Sequence, residues 1–96
     1  MSRRFSESDR NAGLATVPAW DYDDKAGAIL REFKFRDFIE AFGFMTKVAL
    51  LVERQNHHPD WTNVYNRVTI TLTDYEAGWL SQRDIDLAIA IDQLVE

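Results

Sequence analysis

One helical segment, residues 36–56, constrains the fold more than any other feature of this sequence. Apolar residues recur along it at intervals of three and four, which predicts a long helix with two apolar sides. The first stripe comprises Phe38, Ile39, Phe42, Met45, Ala49 and Val52, and the second comprises Ala41, Phe44, Val48 and Leu51. A helix that is apolar over so wide an arc is buried on more than one side. We expect one stripe to cover a sheet and the second stripe to meet another copy of the chain, in a homodimer or homotetramer.

The segments that flank this helix have the two-residue period of strands. Residues 29–35 alternate between two faces, and together with residues 20–22 and a turn at 24–27 they predict a hairpin. Residues 67–73 alternate apolar with polar side chains and are rich in β-branched residues, as in a half-exposed strand. A further short strand is expected at residues 62–65.

Two shorter helices are predicted near the ends of the chain. Ser6 and Asp9 have the spacing of a capping box, and the helix that they begin should end before Pro18. Ser81 and Asp84 repeat the capping-box spacing before a last helix. The element order α-β-β-α-β-β-α, over one domain of residues 1–96, predicts an α+β fold. In it, three helices pack on one face of a four-stranded antiparallel sheet.

Composition excludes several classes of function. The chain has 11 basic and 16 acidic side chains, a net charge of -5, which argues against a nucleic-acid surface. It contains no cysteine, so thiol catalysis, disulfides and zinc–thiolate sites are excluded. Residues 1–8 lack the apolar run of a signal peptide, and no stretch is apolar enough to cross a bilayer. We therefore expect a cytoplasmic protein with no membrane partner.

The chain has two histidines, His57 and His58, and they are adjacent. Adjacent side chains point in different directions, and there is no third histidine or cysteine to complete a metal site. A metal is therefore not expected here. On composition alone, the pair caps the end of the long helix, where a cation suits the helix dipole.

The neighbours of the two histidines form a more specific pattern. Residues 53–68 read Glu-Arg-Gln-Asn-His-His-Pro-Asp-Trp-Thr-Asn-Val-Tyr-Asn-Arg-Val. This segment resembles the signature of the pterin-4a-carbinolamine dehydratases, and residues 33–38, 41–45 and 80–85 resemble the same family. The similarity extends over residues 20–94. The family's fold, three helices on one face of a four-stranded antiparallel sheet, agrees with the element order above.

The resemblance implies a lyase reaction, the removal of water from 4a-hydroxytetrahydropterin to give quinonoid dihydropterin during tetrahydrobiopterin recycling. It implies a pterin substrate and no metal or cofactor. His57 and His58 are carried over as the acid/base and pterin-contacting residues, because imidazole exchanges protons near neutral pH. Asp84 matches an aspartate of the family's active site, although it is equally well explained as a capping residue.

The sequence departs from the family at Tyr75, which stands where a third active-site histidine is usual. A phenol with an ordinary pKa of about 10 is a poor base at pH 7 and only a weak acid. Three further residues are substrate-binding candidates with structural alternatives. Glu53 either orients His57 from one helical turn away or is a solvated charge, Trp61 flanks the pocket or belongs to the core, and Pro59 most simply ends the helix.

The resemblance also supports a second class of function. Some animal relatives are dimerisation cofactors of a homeodomain transcription factor, and some degenerate bacterial relatives are linked to assembly of a carbon-fixing enzyme. The intact His-His-Pro run favours the dehydratase. Tyr75 favours a catalytically weakened protein that binds or assembles other proteins.

Overall fold

The computed structural model describes residues 5–96 and contains three helices and four strands. The helices are α1 (Glu7–Ala15), α2 (Phe38–Gln55) and α3 (Gln82–Gln93), and the strands are β1 (Asp21–Asp23), β2 (Ala28–Lys34), β3 (Asp60–Val64) and β4 (Arg67–Leu72). The predicted order α-β-β-α-β-β-α is confirmed, with β3 beginning two residues earlier than expected. The expectation that residues 1–8 contain no signal peptide includes residues 1–4, which lie outside the described residues.

The sheet is antiparallel throughout, in the order β1-β2-β4-β3. Pairs such as Phe33 with Val68 and Ile29 with Leu72 place apolar side chains of the two central strands on one face, where they are buried. The intervening residues of β4, such as Thr69 and Thr71, are only half-buried. One face of the sheet therefore carries the core and receives the helices, as predicted.

Helix α2 covers that face with the stripe that was expected to meet another copy of the chain. Ala41, Phe44 and Val48 are buried, and the Phe44 ring lies 4.7 Å from the ring of Phe33, centroid to centroid. Most of the other stripe is exposed, with 81% of Ile39 and 55% of Phe42 accessible. The expected roles of the two stripes are therefore wrong and must be exchanged. The aromatic contacts of Phe44 fix the rotation of the helix, and periodicity alone carries no information about that rotation.

The ends of the elements bring two connecting segments together. Asp60 at the start of β3 pairs with Thr71 near the end of β4, so residues 56–60 and residues 73–81 lie side by side. Ser81 then begins α3 with a complete capping box, as predicted. Among the described residues, no helix is long and apolar enough to cross a membrane.

Candidate active site

The first connecting segment turns sharply after α2. Asn56 adopts a left-handed conformation with φ of 51°, and the backbone N–H of His57 donates to Val52 O at 3.3 Å. Asparagine tolerates this conformation better than most residues, so it is suited to end the helix here. The turn directs the His57 side chain inward, where 7% of it stays exposed.

The inward-facing imidazole meets a buried carboxylate. Nε2 of His57 lies 2.5 Å from Oδ1 of Asp84, whose side chain is wholly buried in the first turn of α3. The second oxygen of Asp84 accepts the backbone N–H of Ser81 at 3.0 Å, which closes the capping box. Asp84 therefore caps α3 and holds His57 at the same time.

This pairing determines which ring nitrogen of His57 is available for chemistry. An ionised carboxylate only accepts hydrogen bonds, so Nε2 carries the hydrogen and Nδ1 is the proton-accepting atom of the neutral ring. The side chain's one hydrogen bond is through Nε2, and in the described part of the chain no buried side-chain nitrogen or oxygen lacks a partner. Nδ1 must therefore lie at the small exposed part of the ring, where it can meet a ligand.

His58 occupies a different environment from its neighbour. Its side chain is 61% exposed, and Nε2 lies 3.3 Å from Oε1 of Glu53 on the last turn of α2. Of the two readings left open for Glu53, the structure does not place it against His57, and its 79% exposed side chain fits the reading as a solvated charge. The left-handed turn at Asn56 sends His57 inward and leaves His58 beside Glu53 on the surface.

Tyr75 lies on the second connecting segment, and its side chain is mostly exposed. Its hydroxyl donates to Oδ2 of Asp60 at 2.7 Å. This hydrogen bond, and then the negative charge of Asp60, raise the pKa of the Tyr75 phenol above its ordinary value of 10.0. The phenol is therefore held protonated and directed at Asp60. Sequence reasoning did not single out Asp60, although its position directly after the His-His-Pro run could have indicated it.

The remaining candidates lie nearby in supporting positions. Pro59 is half-buried and joins the histidines to β3. Trp61 follows on β3 opposite Ile70, on the core face of the sheet, and packs against the core cluster. Arg83, which the sequence analysis also missed, donates to the carbonyl of Asn56 at 2.5 Å and so ties the end of α2 to the start of α3.

The assembled site has three pairs, each with one member in residues 57–60. His57 pairs with Asp84, His58 with Glu53, and Asp60 with Tyr75. Carboxylates therefore flank both imidazoles, an arrangement suited to holding and transferring protons. No cluster of three His, Asp or Glu side chains in residues 5–96 could hold a metal ion.

A separate concavity lies elsewhere on the molecule. It has a volume of about 680 Å³ and is lined by β2, α2 and the end of α3, with Phe33, Phe35 and Lys47 among its walls. Neither histidine belongs to it. We place the candidate site at the two histidines and not in this concavity, because the concavity contains no pair of proton-transferring side chains at hydrogen-bond distance.

Comparison with known proteins identifies the family. The family model for pterin 4 alpha carbinolamine dehydratase matches residues 3–94. A relative from Rhizorhabdus wittichii, provisionally named pterin-4-alpha-carbinolamine dehydratase, is 52% identical over 92 residues, covering 96% of this chain and 95% of the relative. A relative from Prochlorococcus marinus with the same provisional name is 56% identical over 78 residues, covering 81% of this chain and 80% of its own length.

Two solved structures share the fold. The crystal structure of a transcriptional coactivator/pterin dehydratase from Brucella melitensis superposes with a TM-score of 0.92 at 39% identity, covering 98% of this chain and all of that one. A pterin dehydratase-like protein described as a RuBisCO assembly factor in the α-carboxysome has a TM-score of 0.70 at 23% identity, covering 79% of this chain and 88% of its own. The second similarity concerns the fold alone.

Proposed function

The chain belongs to the pterin 4 alpha carbinolamine dehydratase family, and we propose that it removes water from a 4a-hydroxytetrahydropterin. The product is the quinonoid dihydropterin, and the step serves tetrahydrobiopterin recycling. The observation that carries the proposal is the buried His57–Asp84 pair beside an exposed second histidine.

The reaction requires one proton to leave a ring nitrogen and another to reach the leaving hydroxyl. In the proposal, Nδ1 of His57 takes the proton from the ring nitrogen next to C4a, and the electron pair left behind forms the C4a–N double bond. His58 gives its proton to the 4a-hydroxyl, which departs as water. Solvent exchange returns both rings to their starting states.

Asp84 acts on this chemistry through His57. It fixes the hydrogen on Nε2, so that Nδ1 is free to accept, and it stabilises the imidazolium that forms. Glu53 has the equivalent position beside His58, but at the surface, where solvent weakens the interaction. Glu53 can also accept the paired N–H donors on the amino-oxo edge of a pterin, because a carboxylate matches two parallel donors.

Tyr75 is assigned a binding role in this proposal. Its hydroxyl donates a hydrogen bond to Asp60, and the raised pKa of the phenol makes proton release harder near neutral pH. A histidine at this position would exchange protons readily. We therefore assign Tyr75 and Asp60 to the rim that positions the pterin, with Pro59 and Trp61 supporting the segment beneath it.

A crystal soaked with a stable reduced pterin, 7,8-dihydropterin, tests the location of the site. The proposal places the pterin ring against His57 Nδ1 and His58, within reach of Glu53. Electron density for the pterin in the concavity lined by β2 and α2, with none at the histidines, would contradict the proposal.

A second function is favoured by the exposed side of α2. Phe38, Ile39, Phe42 and Leu50 are between 44% and 81% exposed, an unusual apolar content for a solvated helix face. We propose that this side binds a second copy of the chain in a homodimer or homotetramer. The same side suits a different protein partner, as the coactivator role in the name of the Brucella melitensis relative suggests.

A further inference from the structure

Asp74 is a buried carboxylate that the mechanism above does not use. Only 2% of the residue is exposed, and it lies two residues after the end of β4, at the start of the loop that carries Tyr75. Its Oδ1 accepts the backbone N–H groups of Glu76 at 3.0 Å and Ala77 at 3.3 Å. Burying a charge costs free energy unless hydrogen-bond partners replace its water. The buried carboxylate of Asp74 therefore depends on these partners.

The other oxygen of Asp74 reaches away from its own loop. Oδ2 accepts the hydroxyl hydrogen of Ser81 at 2.6 Å, across seven residues of chain. The two backbone N–H groups bound at Oδ1 are sufficient to close the loop. The additional bond to Ser81 joins the loop to the N-cap residue of α3.

Ser81 passes this connection on to the histidine. The serine is 1% exposed, its hydroxyl has one hydrogen to donate, and that hydrogen goes to Asp74. Its backbone N–H donates to Oδ2 of Asp84, whose Oδ1 holds His57. Ser81 therefore connects the Tyr75 loop to the buried imidazole through two separate hydrogen bonds, from its hydroxyl to Asp74 and from its backbone N–H to the Asp84 carboxylate that holds His57.

We propose that Asp74 is a positioning residue of the site, which acts through Ser81 to hold the Asp84 carboxylate against His57. The same side chain holds the loop on which Tyr75 meets Asp60, so Asp74 sets the spacing between the two parts of the site. The effect on turnover rests on the proposed dehydratase function. The effect on the geometry of His57 does not.

The experiment follows the ring proton on Nε2 of His57 by NMR. The chain has two histidines, so the imidazole spectrum has two sets of signals, and His58→Gln identifies which set belongs to His57. In the parent, we expect a downfield ring proton that exchanges slowly with water, because the hydrogen bond to Asp84 is short and buried. Asp74→Asn keeps the size of the side chain and removes its charge. It also weakens the 3.9 Å ion pair between Oδ2 of Asp74 and Arg83, so the Ser81 variants, which keep both charges, isolate the route through Ser81.

We expect Asp74→Asn to move this proton upfield and to speed its exchange by about tenfold or more. Ser81→Ala should do the same, and Ser81→Thr should restore the parent signal because it keeps the hydroxyl. Ser6→Ala is the matched control, since it removes the capping serine of α1, which has no contact with His57. An unchanged His57 proton in both Asp74→Asn and Ser81→Ala would overturn the proposal. If Asp74→Asn does not fold, the Ser81 pair decides.

Turnover provides the second readout. Asp74→Asn should lower kcat by about tenfold and change KM less than twofold, because misplacing a reacting group slows the chemical step more than binding. Ser81→Thr should retain the parent kcat, and Ser81→Ala should lose it in parallel with Asp74→Asn. A parent chain without dehydratase activity would refute the proposed function, and the His57 proton would still decide whether Asp74 positions the ring. Parent-like kcat in both Asp74→Asn and Ser81→Ala would contradict the positioning role.

Discussion

Nε2 of His57 lies 2.5 Å from Oδ1 of Asp84, although 27 residues separate them in the chain. The contact joins the second residue after α2 to the first turn of α3, and both side chains are buried. A buried ionisable pair is costly unless its hydrogen bonds are complete, which the capping N–H of Ser81 helps to achieve here.

Replacing Asp84 by Asn should impair turnover much more than folding. The amide oxygen can still accept the N–H of Ser81, but the amide nitrogen then donates to Nε2 of His57. The hydrogen of the ring must move to Nδ1, which can no longer accept a proton from the substrate. We expect kcat to fall by about 10²–10⁴-fold and the free energy of unfolding to fall by only about 1 kcal/mol.

Rapid-mixing kinetics and denaturant unfolding of the same samples measure the two effects. Asp86→Asn is the control, because Asp86 lies on the exposed side of α3 and bonds only to Gln82 among the hydrogen bonds described. Parent-like turnover in Asp84→Asn would show that the tautomer of His57 is irrelevant to the reaction.

His58→Ala should lower the dehydration rate by about 10²-fold or more, because it removes the proposed proton donor. The side chain is 61% exposed, so the free energy of unfolding should change by less than about 0.5 kcal/mol. Arg54→Ala, an exposed change on the same last turn of α2, should leave both quantities unchanged. A large loss of stability in His58→Ala would instead assign this residue a structural role.

Tyr75→Phe separates proton transfer from binding. Because the hydroxyl is hydrogen-bonded to Asp60, we expect Phe mainly to raise KM and to leave kcat within about threefold of the parent. Tyr75→His should raise the rate at pH 7, since imidazole carries protons in this range. A drop in kcat by tenfold or more in Tyr75→Phe would mean that the phenol transfers a proton after all.

The pH dependence of the Tyr75 phenol provides a test that is independent of activity. Asp60 raises the pKa of Tyr75 in the folded state, so the protonated phenol is favoured by folding. The resulting stabilisation is present below the ordinary phenol pKa of about 10 and is lost as the pH rises through the raised, folded value. Tyrosinate absorbance should show one late titration that Tyr75→Phe abolishes and Asp60→Asn moves to lower pH. An unchanged titration in Asp60→Asn would rule out the hydrogen bond in solution.

The exposed side of α2 predicts self-association. Light scattering at micromolar concentration should give a mass of two or four times 11.2 kDa. Phe42→Glu should shift the mass toward the monomer, because it places a charge within the apolar contact. Gln82→Glu, an equally exposed change on α3, should not alter the mass. A monomeric parent would contradict self-association, and this side of α2 would then be a surface for a different protein.

Local patterns predicted the elements of this fold well. The two-residue period of β4, the Ser6 N-cap of α1 and the Ser81–Asp84 capping box of α3 each depend on neighbours in sequence, and the structure has these features where they were expected. The rotation of α2 was assigned wrongly, because it depends on contacts between Phe44 and residues of β2 that periodicity does not contain.

The site was predictable only in part, for the same reason. The family signature indicated His57, His58 and Asp84, but not which carboxylate meets which ring. That pairing depends on one backbone angle at Asn56, which sends His57 to Asp84 and leaves Glu53 to His58. The bond from Tyr75 to Asp60 required the register of β3 on β4, which the sequence does not specify.

The most direct test of the account is the dehydration rate itself. Freshly generated 4a-hydroxytetrahydropterin is mixed at pH 7 with the parent chain, with His57→Gln, or with buffer, and the loss of its absorbance is followed. The account predicts that the parent accelerates the decay well beyond the buffer rate and that His57→Gln loses about 10²-fold or more of that acceleration while remaining folded. The account would be contradicted if the substrate is lost no faster with the parent chain than in buffer, or if it is lost as fast with His57→Gln as with the parent.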